Sequence, residues 1–390
     1  MTGKPGVKID RVNIHGVSLP FFGDFSHALK SGASADNIVV EIVAEGGRIR
    51  GYGEGAPRAY VTGETQETSI EAVRRMAVSP AFPWVLSGVP DIWAYLDGLK
   101  GGKEIHAARC ALETALLDVF GKARGVSVMD FFPRDFYGPE VRYGAAVPLT
   151  HRERAMKIAR VIRGMGIRRL KLKLGRDFHE NREVLEGISA VFREGCDLKV
   201  DVNGAWDRDL AFRHIPLIRR FGVRIVEQPM PPGDGGLAAF ARAMDAAGVI
   251  LMADEAACSL EDVKVIVRQG WYRMINVRVS KCGGLRKSMQ MINFLRRNRV
   301  LFQIACQLGE SGLLSAAGRI LSLLSRDARY HDGSYDEFLL KENITTKNVS
   351  FGPGGKAGPL GGHGLGVDVD RNRLLRLSNG PAPVTVARPA

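Results

Sequence analysis

The sequence predicts an α/β protein: a closed barrel of eight strand–helix units set behind an N-terminal α+β domain. Three observations carry this expectation. From about residue 140 onward, short apolar runs alternate with amphipathic ones, reading YGAAVPL, LKLKLG, LKVDVNG, RIVEQP, VILMADE, INVRVSK, LFQIACQLG and RYHDGSY. Their C-terminal ends fall at Val147, Lys173, Asp201, Glu227, Asp254, Lys281, Leu308 and Asp332, which by subtraction lie 26, 28, 26, 27, 27, 27 and 24 residues apart. That interval is one strand, one helix and two loops, and eight in succession close a barrel. Only the length recurs between units, whereas a solenoid would also share sequence.

The N-terminal part has a different texture. Residues 8–19 (KIDRVNIHGVSL) and 37–54 (NIVVEIVAEGGRIRGYGE) are alternating and β-branched around a Gly-Gly turn, which predicts antiparallel strands. Helical periodicity follows at 64–77 and at 104–124, the latter ending before Gly125. Strands followed by helices make an α+β domain, placed over 1–135, with the barrel over 136–350. Within the barrel, a helix over 152–164 starts after Thr150, and one over 177–194 opens with Asp177, a good N-cap. The stretch from 351 to 390 is glycine-rich at first. From its composition alone it is either a linker or a segment crossing back to the N-terminal sheet.

Composition excludes several function classes. The chain of 390 residues is 45% hydrophobic and 25% charged, the balance of a folded globular protein. No run of about 18 apolar residues and no secretory leader is evident, so the expected location is cytoplasmic and no membrane partner is expected. Five cysteines (Cys110, Cys196, Cys258, Cys282 and Cys306) are odd in number, widely spaced and without a CxxC, and are expected to be free thiols. The net charge of +13 raises the question of nucleic acid. The basic residues cluster in 160–169, 213–224 and 296–299, however, at helical spacing and without interleaved aromatics. They read as solvated faces of outer helices, and no nucleic-acid partner is expected.

The chemistry is expected at the C-terminal ends of the barrel strands, where active sites of such barrels lie. Five consecutive strands end there in ionisable residues: Lys173, Asp201, Glu227, Asp254 and Lys281. Three carboxylates from adjacent strands, with no histidine or cysteine beside them, suit a hard cation such as Mg2+. The two lysines bracket the carboxylates and would stand on opposite sides of the metal. A substrate resting on the metal would then have one amine above each face. In LKLKLG, alternation puts Leu170, Leu172 and Leu174 on one face and Lys171 and Lys173 on the other. Two ammonium groups side by side are costly to bury unless they are paired or their pKa falls, so the pair is either solvated or functional.

LKLKLG, DVNGAW, VEQP, ADE and SKCGG, in this order and spacing, resemble the motifs of the enolase superfamily, and within it of the muconate lactonizing enzyme subgroup. The resemblance spans the whole chain. It implies a modified TIM barrel, (β/α)7β, with an N-terminal α+β capping domain completed by the C-terminal tail. It implies Asp201, Glu227 and Asp254 as Mg2+ ligands, Lys173 and Lys281 as the acid/base pair, and Lys171 as an accessory lysine. The implied activity is α-proton abstraction from a small-molecule carboxylate. Racemization or epimerization of an amino-acid derivative or dipeptide-like compound stands ahead of cycloisomerization or syn-dehydration, and the protein is expected to be a homo-oligomer. A non-catalytic scaffold or basic binding barrel is the competing class, but it would predict decay of at least one of the five mouth positions, and all five are intact.

Other positions complete the expected site. Asn203 and Lys199 share the face of Asp201 and would orient it or fill the barrel. Glu255 should point away from the metal, and Arg278, of opposite parity to Lys281, is not expected to act as a base. Glu310 and Ser311, past the seventh strand, are candidate substrate contacts. Dipeptide epimerases of the subgroup carry Asp-x-Asp on the last strand for a substrate ammonium group. Here Tyr330-His331-Asp332 retains only the second acid, which argues against an α-amino dipeptide, and His331 is expected to be structural. In the cap, LPFFGDFSH and GEGAPRAYVTGET bring Phe21, Phe22, Phe25, Arg58 and Tyr60 as candidate lid and anion-holding residues.

Overall fold

The computed structural model describes residues 5–27, 30–193, 195–380 and 382–389, with side chains in the 24–31 stretch left aside. The N-terminal sheet is antiparallel: strand Val7–His27 pairs with Lys30–Ala44, which pairs with Ile49–Gly55. The Gly-Gly turn expected between the last two is present, with Gly46 and Gly47 at φ 66° and 85°. Helix His106–Arg124 lies on this sheet and stops, as its sequence predicts, at a left-handed Gly125. The close approach is made by Gly53, where a Cβ would come within 2.2 Å of the Ala111 carbonyl oxygen. Gly51 and Gly55 repeat the arrangement on the same face, so a strand of alternating glycines lets a helix backbone sit directly on the sheet.

The glycine-rich tail is part of the cap. Gly364 exchanges backbone hydrogen bonds with Val126 and Val128, and the Leu365 amide donates to buried Asp118, which also accepts from the Tyr52 amide. Strand Val384–Ala387 then pairs with the outer edge of Val7–His27, in the register Arg11 to Ala387. The crossing-back alternative is therefore the one adopted.

The barrel strands are Ala145–Val147, Arg169–Lys173, Asp197–Asp201, Ile225–Glu227, Ile250–Ala253, Met274–Arg278, Leu301–Ala305 and Tyr330–His331, hydrogen-bonded in chain order. The Gly144 amide closes the ring on the His331 carbonyl at 2.8 Å. Seven helices alternate with the strands, from Arg152–Gly164 to Gly312–Leu323, and the eighth strand leads into the short helix Asp336–Leu339 instead of an eighth outer helix. This is the (β/α)7β pattern. Ile225, Met252, Met274 and Tyr330 form a small apolar plug in the barrel, separate from the main core. The basic clusters fall mainly on outer helices, where Arg160, Arg163, Arg213, Arg219 and Arg297 are exposed, and run on into the turns that follow, as at exposed Arg299. All five cysteines are free, as expected, and no described helix is long and apolar enough to cross a membrane.

The cap is seated on the barrel by buried polar contacts. Glu54, at the end of the third cap strand, accepts from the amides of Ser311 and Leu314 at 3.0 Å each, at the N-terminus of helix Gly312–Leu323. Asn37 bridges Glu54 and the Gly309 carbonyl, and His106 Nδ1 donates to the Lys281 carbonyl at 2.7 Å.

Burial holds both His106 and His331 down to about 4 from the usual 6.5. Neutral rings must then take up protons as the chain unfolds, so the stability they carry is complete above about pH 6.5 and is lost as pH falls through 4. Each site is expected to cost roughly 3 kcal/mol once pH is below its folded value. Urea midpoints measured from pH 7 to 4 should fall in this window, and less steeply in His331→Gln; equal slopes would remove His331 from the account.

Candidate active site

The second barrel strand supplies both lysines of LKLKLG to the interior, as parity requires. Lys171 Nζ lies 2.8 Å from Glu227 Oε2, 3.2 Å from Asp332 Oδ2 and 3.9 Å from Asp201 Oδ2. Burial alone would pull its pKa down, but Glu227, Asp332 and Asp201 together push it well above the ordinary lysine value. Lys171 is thus a fixed cation. Lys173, one pleat nearer the mouth, donates to Asn203 Oδ1 at 2.7 Å and to Asp201 Oδ2 at 3.1 Å.

The three carboxylates stand at adjacent strand ends. Asp201 and Glu227 are register partners, and Asp254 follows the fifth strand directly. Asp201 feels a strong burial penalty, but Lys173, Lys171 and Arg278 outweigh it and hold its carboxyl well below the usual range. Glu227 accepts from Asn276 Nδ2 at 2.7 Å. The loops behind these acids are tied by Gln228, whose Oε1 accepts from the amides of Asp254 and Ala256 at 3.1 Å each. Asn203 and Gln228, each two residues or fewer beyond a mouth carboxylate, adopt left-handed φ of 48° and 39°. Such backbone strain concentrates where loops position chemistry.

The sixth strand departs from expectation. Its ladder ends at Arg278, and Val279–Gly284 is a turn closed by Cys282 N to Arg278 O at 2.9 Å and Gly284 N to Val279 O at 2.9 Å. Lys281 therefore sits in the turn. Its ammonium donates to Asp254 O at 2.8 Å, Asp254 Oδ1 at 2.9 Å and Asn276 O at 2.6 Å. Arg278 has the strand parity of Asn276 and reaches the mouth carboxylates instead. Its Nη2 donates to Asp254 Oδ2 and lies 3.8 Å from Glu227 Oε1, while Nη1 donates to Gln307 Oε1 at 2.8 Å. The side chains of Lys173 and Arg278 are 14% and 10% exposed, and that of Lys281 is 0%. Of the three, Lys173 and Arg278 keep some exposure to solvent and Lys281 keeps none.

Several weaker expectations are also redrawn. Lys199 and Asp332 pair at 2.7 Å, Lys199 also donates to Gln303, and Asp332 is shared with Lys171. Both are wall groups of the barrel; Asp332 Oδ2 is shared by the two lysines, and its Oδ1 is buried without a partner. Asn203 grips Lys173, and its backbone amide, rather than its side chain, orients Asp201 at 3.1 Å. Glu255 does not turn away: it accepts from Asn203 Nδ2 at 2.9 Å, and its Oε2 is buried without a partner. Burial, then Asp201 and Glu227, push its carboxyl up.

Ser311 caps helix Gly312–Leu323 and donates to Glu54, a structural position. Glu310 accepts from the Gln307 amide at 2.6 Å beside Arg278, and burial pushes it up to about 8. The Arg58 guanidinium is buried and donates to the carbonyls of Asp36, Pro57 and Leu308 and to Asn37 Oδ1, fastening the cap loop to the seventh barrel loop. Tyr60 extends from that loop into the field of Arg58, Arg278, Glu255 and Asp201, although burial is the main cause that raises its phenol. Phe21 is buried, Phe22 is 64% exposed to solvent, and the Phe25 side chain lies outside the described residues.

Among the described residues no three acidic, histidine or cysteine side chains converge closely enough to enclose an ion as arranged, because Lys171, Arg278 and Lys281 lie against the carboxylates. The donor chemistry nonetheless fits a hard divalent cation. Asp201, Glu227 and Asp254 are all-oxygen donors, almost wholly buried, and the orphaned Glu255 oxygen adds an uncompensated acceptor beside them.

A capped barrel with paired lysines and three carboxylates at its mouth is an acid–base enzyme. Residues 153–373 match the enolase C-terminal domain-like family, more than half of the chain, and the protein belongs to that family. Muconate cycloisomerase 1-1 of Acinetobacter lwoffii is 26% identical over 381 residues, 95% of this chain and 97% of that protein. The structure of an N-succinyl Arg/Lys racemase from Bacillus cereus superposes with a TM-score of 0.86 at 20% identity, over 97% of this chain and all of that one. A dipeptide epimerase from Enterococcus faecalis, solved with Mg and L-Leu-L-Tyr, gives 0.82 at 23% identity, over 93% and 99% of the two chains. The protein is thus an enzyme of the enolase superfamily, and these relatives are isomerases.

Proposed function

We propose that the protein abstracts the α-proton of a small-molecule carboxylate, with Lys173 as the base and Mg2+ as the cofactor. The observation that carries this reading is the placement of Lys173 at the solvent-reached mouth, one pleat above the fixed cation Lys171 and beside three buried carboxylates. Asp201, Glu227 and Asp254 would hold the ion. When bound, Mg2+ supplies the positive charge that makes an enolate accessible from a carboxylate. Lys173 receives the proton on Nζ while Asn203 and Asp201 fix the direction of that nitrogen. Lys171 keeps a fixed positive charge one pleat below it, held by Glu227 and Asp332. The cap loop carrying Tyr60 covers the mouth, where exclusion of water strengthens each of these interactions.

Tyr330 stands where the first acid of an Asp-x-Asp pair would be, and Asp332 Oδ2 is already shared by Lys171 and Lys199, so a substrate without a free α-ammonium, such as an N-acyl amino acid, suits the site better than an α-amino dipeptide. The relatives include a racemase and a cycloisomerase, and the outcome depends on what meets the far face of the enolate.

The test is α-hydrogen exchange in D2O with Mg2+ present, read by NMR over a panel of N-acyl amino acids, dipeptides and sugar acids. Exchange is expected with at least one class. It should be lost on chelation with EDTA and in Asp201→Asn. In addition, Mg2+ should raise the melting temperature of the wild type and not of Asp201→Asn. Absence of exchange across the panel would overturn the reading.

A further inference from the structure

What stands across the barrel from Lys173 decides where the proton can go. Arg169–Lys173 is the second strand of an eight-strand ring and Met274–Arg278 the sixth, so four steps separate them in either direction. They are diametrically opposed. The inward side chain at the mouth of that sixth strand is Arg278, and the lysine that follows it is closed off. An ammonium has three donors, and those of Lys281 have three protein acceptors: Asp254 O, Asp254 Oδ1 and Asn276 O. The turn that carries it is pinned beneath the cap by His106.

Arg278 has unused capacity of a particular kind. Its Nη1 is taken by Gln307 Oε1 and its Nη2 by Asp254, but its Nε is buried with no acceptor. The amide nitrogen of Gln307, on the side chain that Arg278 grips, is also buried without an acceptor. Arg278 is 9% exposed and Gln307 1%, so both orphaned donors belong to side chains held within the wall. Two neighbouring unmatched donors describe a place for an oxyanion, while the unmatched acceptors Asn276 Oδ1 and Glu227 Oε2 belong to a separate pair joined by Asn276 Nδ2 to Glu227 Oε1.

We propose that this enzyme has one proton-transfer lysine, and that Arg278 with Gln307 forms an anion clamp on the opposite face for a substrate oxyanion such as a second carboxylate or an acyl oxygen. The inference rests on the α-proton reading above. A guanidinium offers five donors in a planar fork and no acceptor, so it can fix an oxyanion and cannot receive a proton from carbon. The proton leaves for Lys173 Nζ and its bonding pair stays in the enolate; a product forms when that pair expels a β-leaving group, which takes the proton from the same Nζ in a syn elimination, whereas return of the proton to the same face regenerates the substrate and is read only as exchange. Such a site starts and ends on one side of its substrate and does not invert a stereocentre.

Two measurements on the full chain with Mg2+ test this. In the first, N-succinyl and N-acetyl amino acids of each hand are incubated separately in D2O. For any compound that exchanges, deuterium is expected in one hand only, with no build-up of the other, and Arg278→Met is expected to raise KM at least tenfold with a smaller change in kcat. Exchange from both hands, or an unchanged KM in Arg278→Met, would overturn the proposal. In the second, lysines of the native protein are reductively methylated and read by peptide mass spectrometry. Lys173 should react at least tenfold faster than Lys281, and similar rates would likewise overturn it. If nothing exchanges in the first measurement, the α-proton reading fails on its own account. The labelling still decides whether a second lysine faces the mouth.

Discussion

Lys173→Met is expected to lower kcat for α-hydrogen exchange by about 10²–10⁴-fold while leaving the fold intact, the range typical of a removed general base. The side chain lies at the mouth, and its two partners do not depend on it. Asp201 keeps Lys171 at 3.9 Å and the field of Arg278, and Asn203 keeps Glu255. The loss should therefore fall on kcat, with the circular dichroism spectrum and urea midpoint close to wild type. Lys171→Met is the informative companion, because it leaves Glu227 and Asp332 facing each other without the ammonium between them. That variant should lose stability as well as activity. Retention of exchange within tenfold in Lys173→Met would mean that another group takes the proton.

Asp332→Ala should produce the largest loss of stability at the site, roughly 3–5 kcal/mol, because it removes one member of a buried charge network. Its Oδ2 serves two ammonium groups, Lys199 at 2.7 Å and Lys171 at 3.2 Å. Without it Lys199 retains Gln303 as its hydrogen-bond acceptor, and the two lysines confront each other. The burial that lowers the Lys199 pKa would then be opposed by one carboxylate fewer. Replacing the pair together, Lys199→Met with Asp332→Leu, should recover part of the loss, since a well-packed apolar pair needs no compensating charge. Equilibrium urea unfolding of the two variants beside the wild type measures both effects. A cost below about 1 kcal/mol for Asp332→Ala would show that the network contributes little to folding.

The barrel was legible because its signal is periodic. Eight ends at intervals near 27 residues survive errors of a residue or two at any one of them. The three mouth carboxylates were legible for the same reason, since each closes an apolar run. Lys171 and Lys173 were placed correctly because alternation inside a strand is strict. Where the strand stops, alternation stops with it, and there the reading failed. In INVRVSKCGG the apolar pattern runs on through Val279, while the hydrogen-bonded ladder ends at Arg278. Lys281 was assigned to a strand end that is in fact a turn, and Glu255, two residues past the end of the fifth strand, was sent the wrong way. A signal did exist. Asn276 is a polar residue facing inward in an apolar strand, and Arg278 shares its parity. Arg58, Ser311 and Asp332 were misjudged for another reason: their partners are carbonyls, a cap carboxylate and lysines distant in sequence, which no local pattern reports.

The pairing of Val384–Ala387 with Val7–His27 also has a consequence for how the protein is made. Arg11 waits for Ala387, so the Arg11–Ile14 part of the first strand's outer edge has no neighbour until the whole barrel has been translated, whereas Val7 and Lys8 pair earlier, with Val85–Leu86. A long strand with an open edge invites pairing with other chains. During that interval the nascent cap depends on its inner partner, Lys30–Ala44, and on helix His106–Arg124 to stay in register. The tail is in this sense a late closure, and the ribosome-bound intermediate is the state in which this protein is most exposed to aggregation.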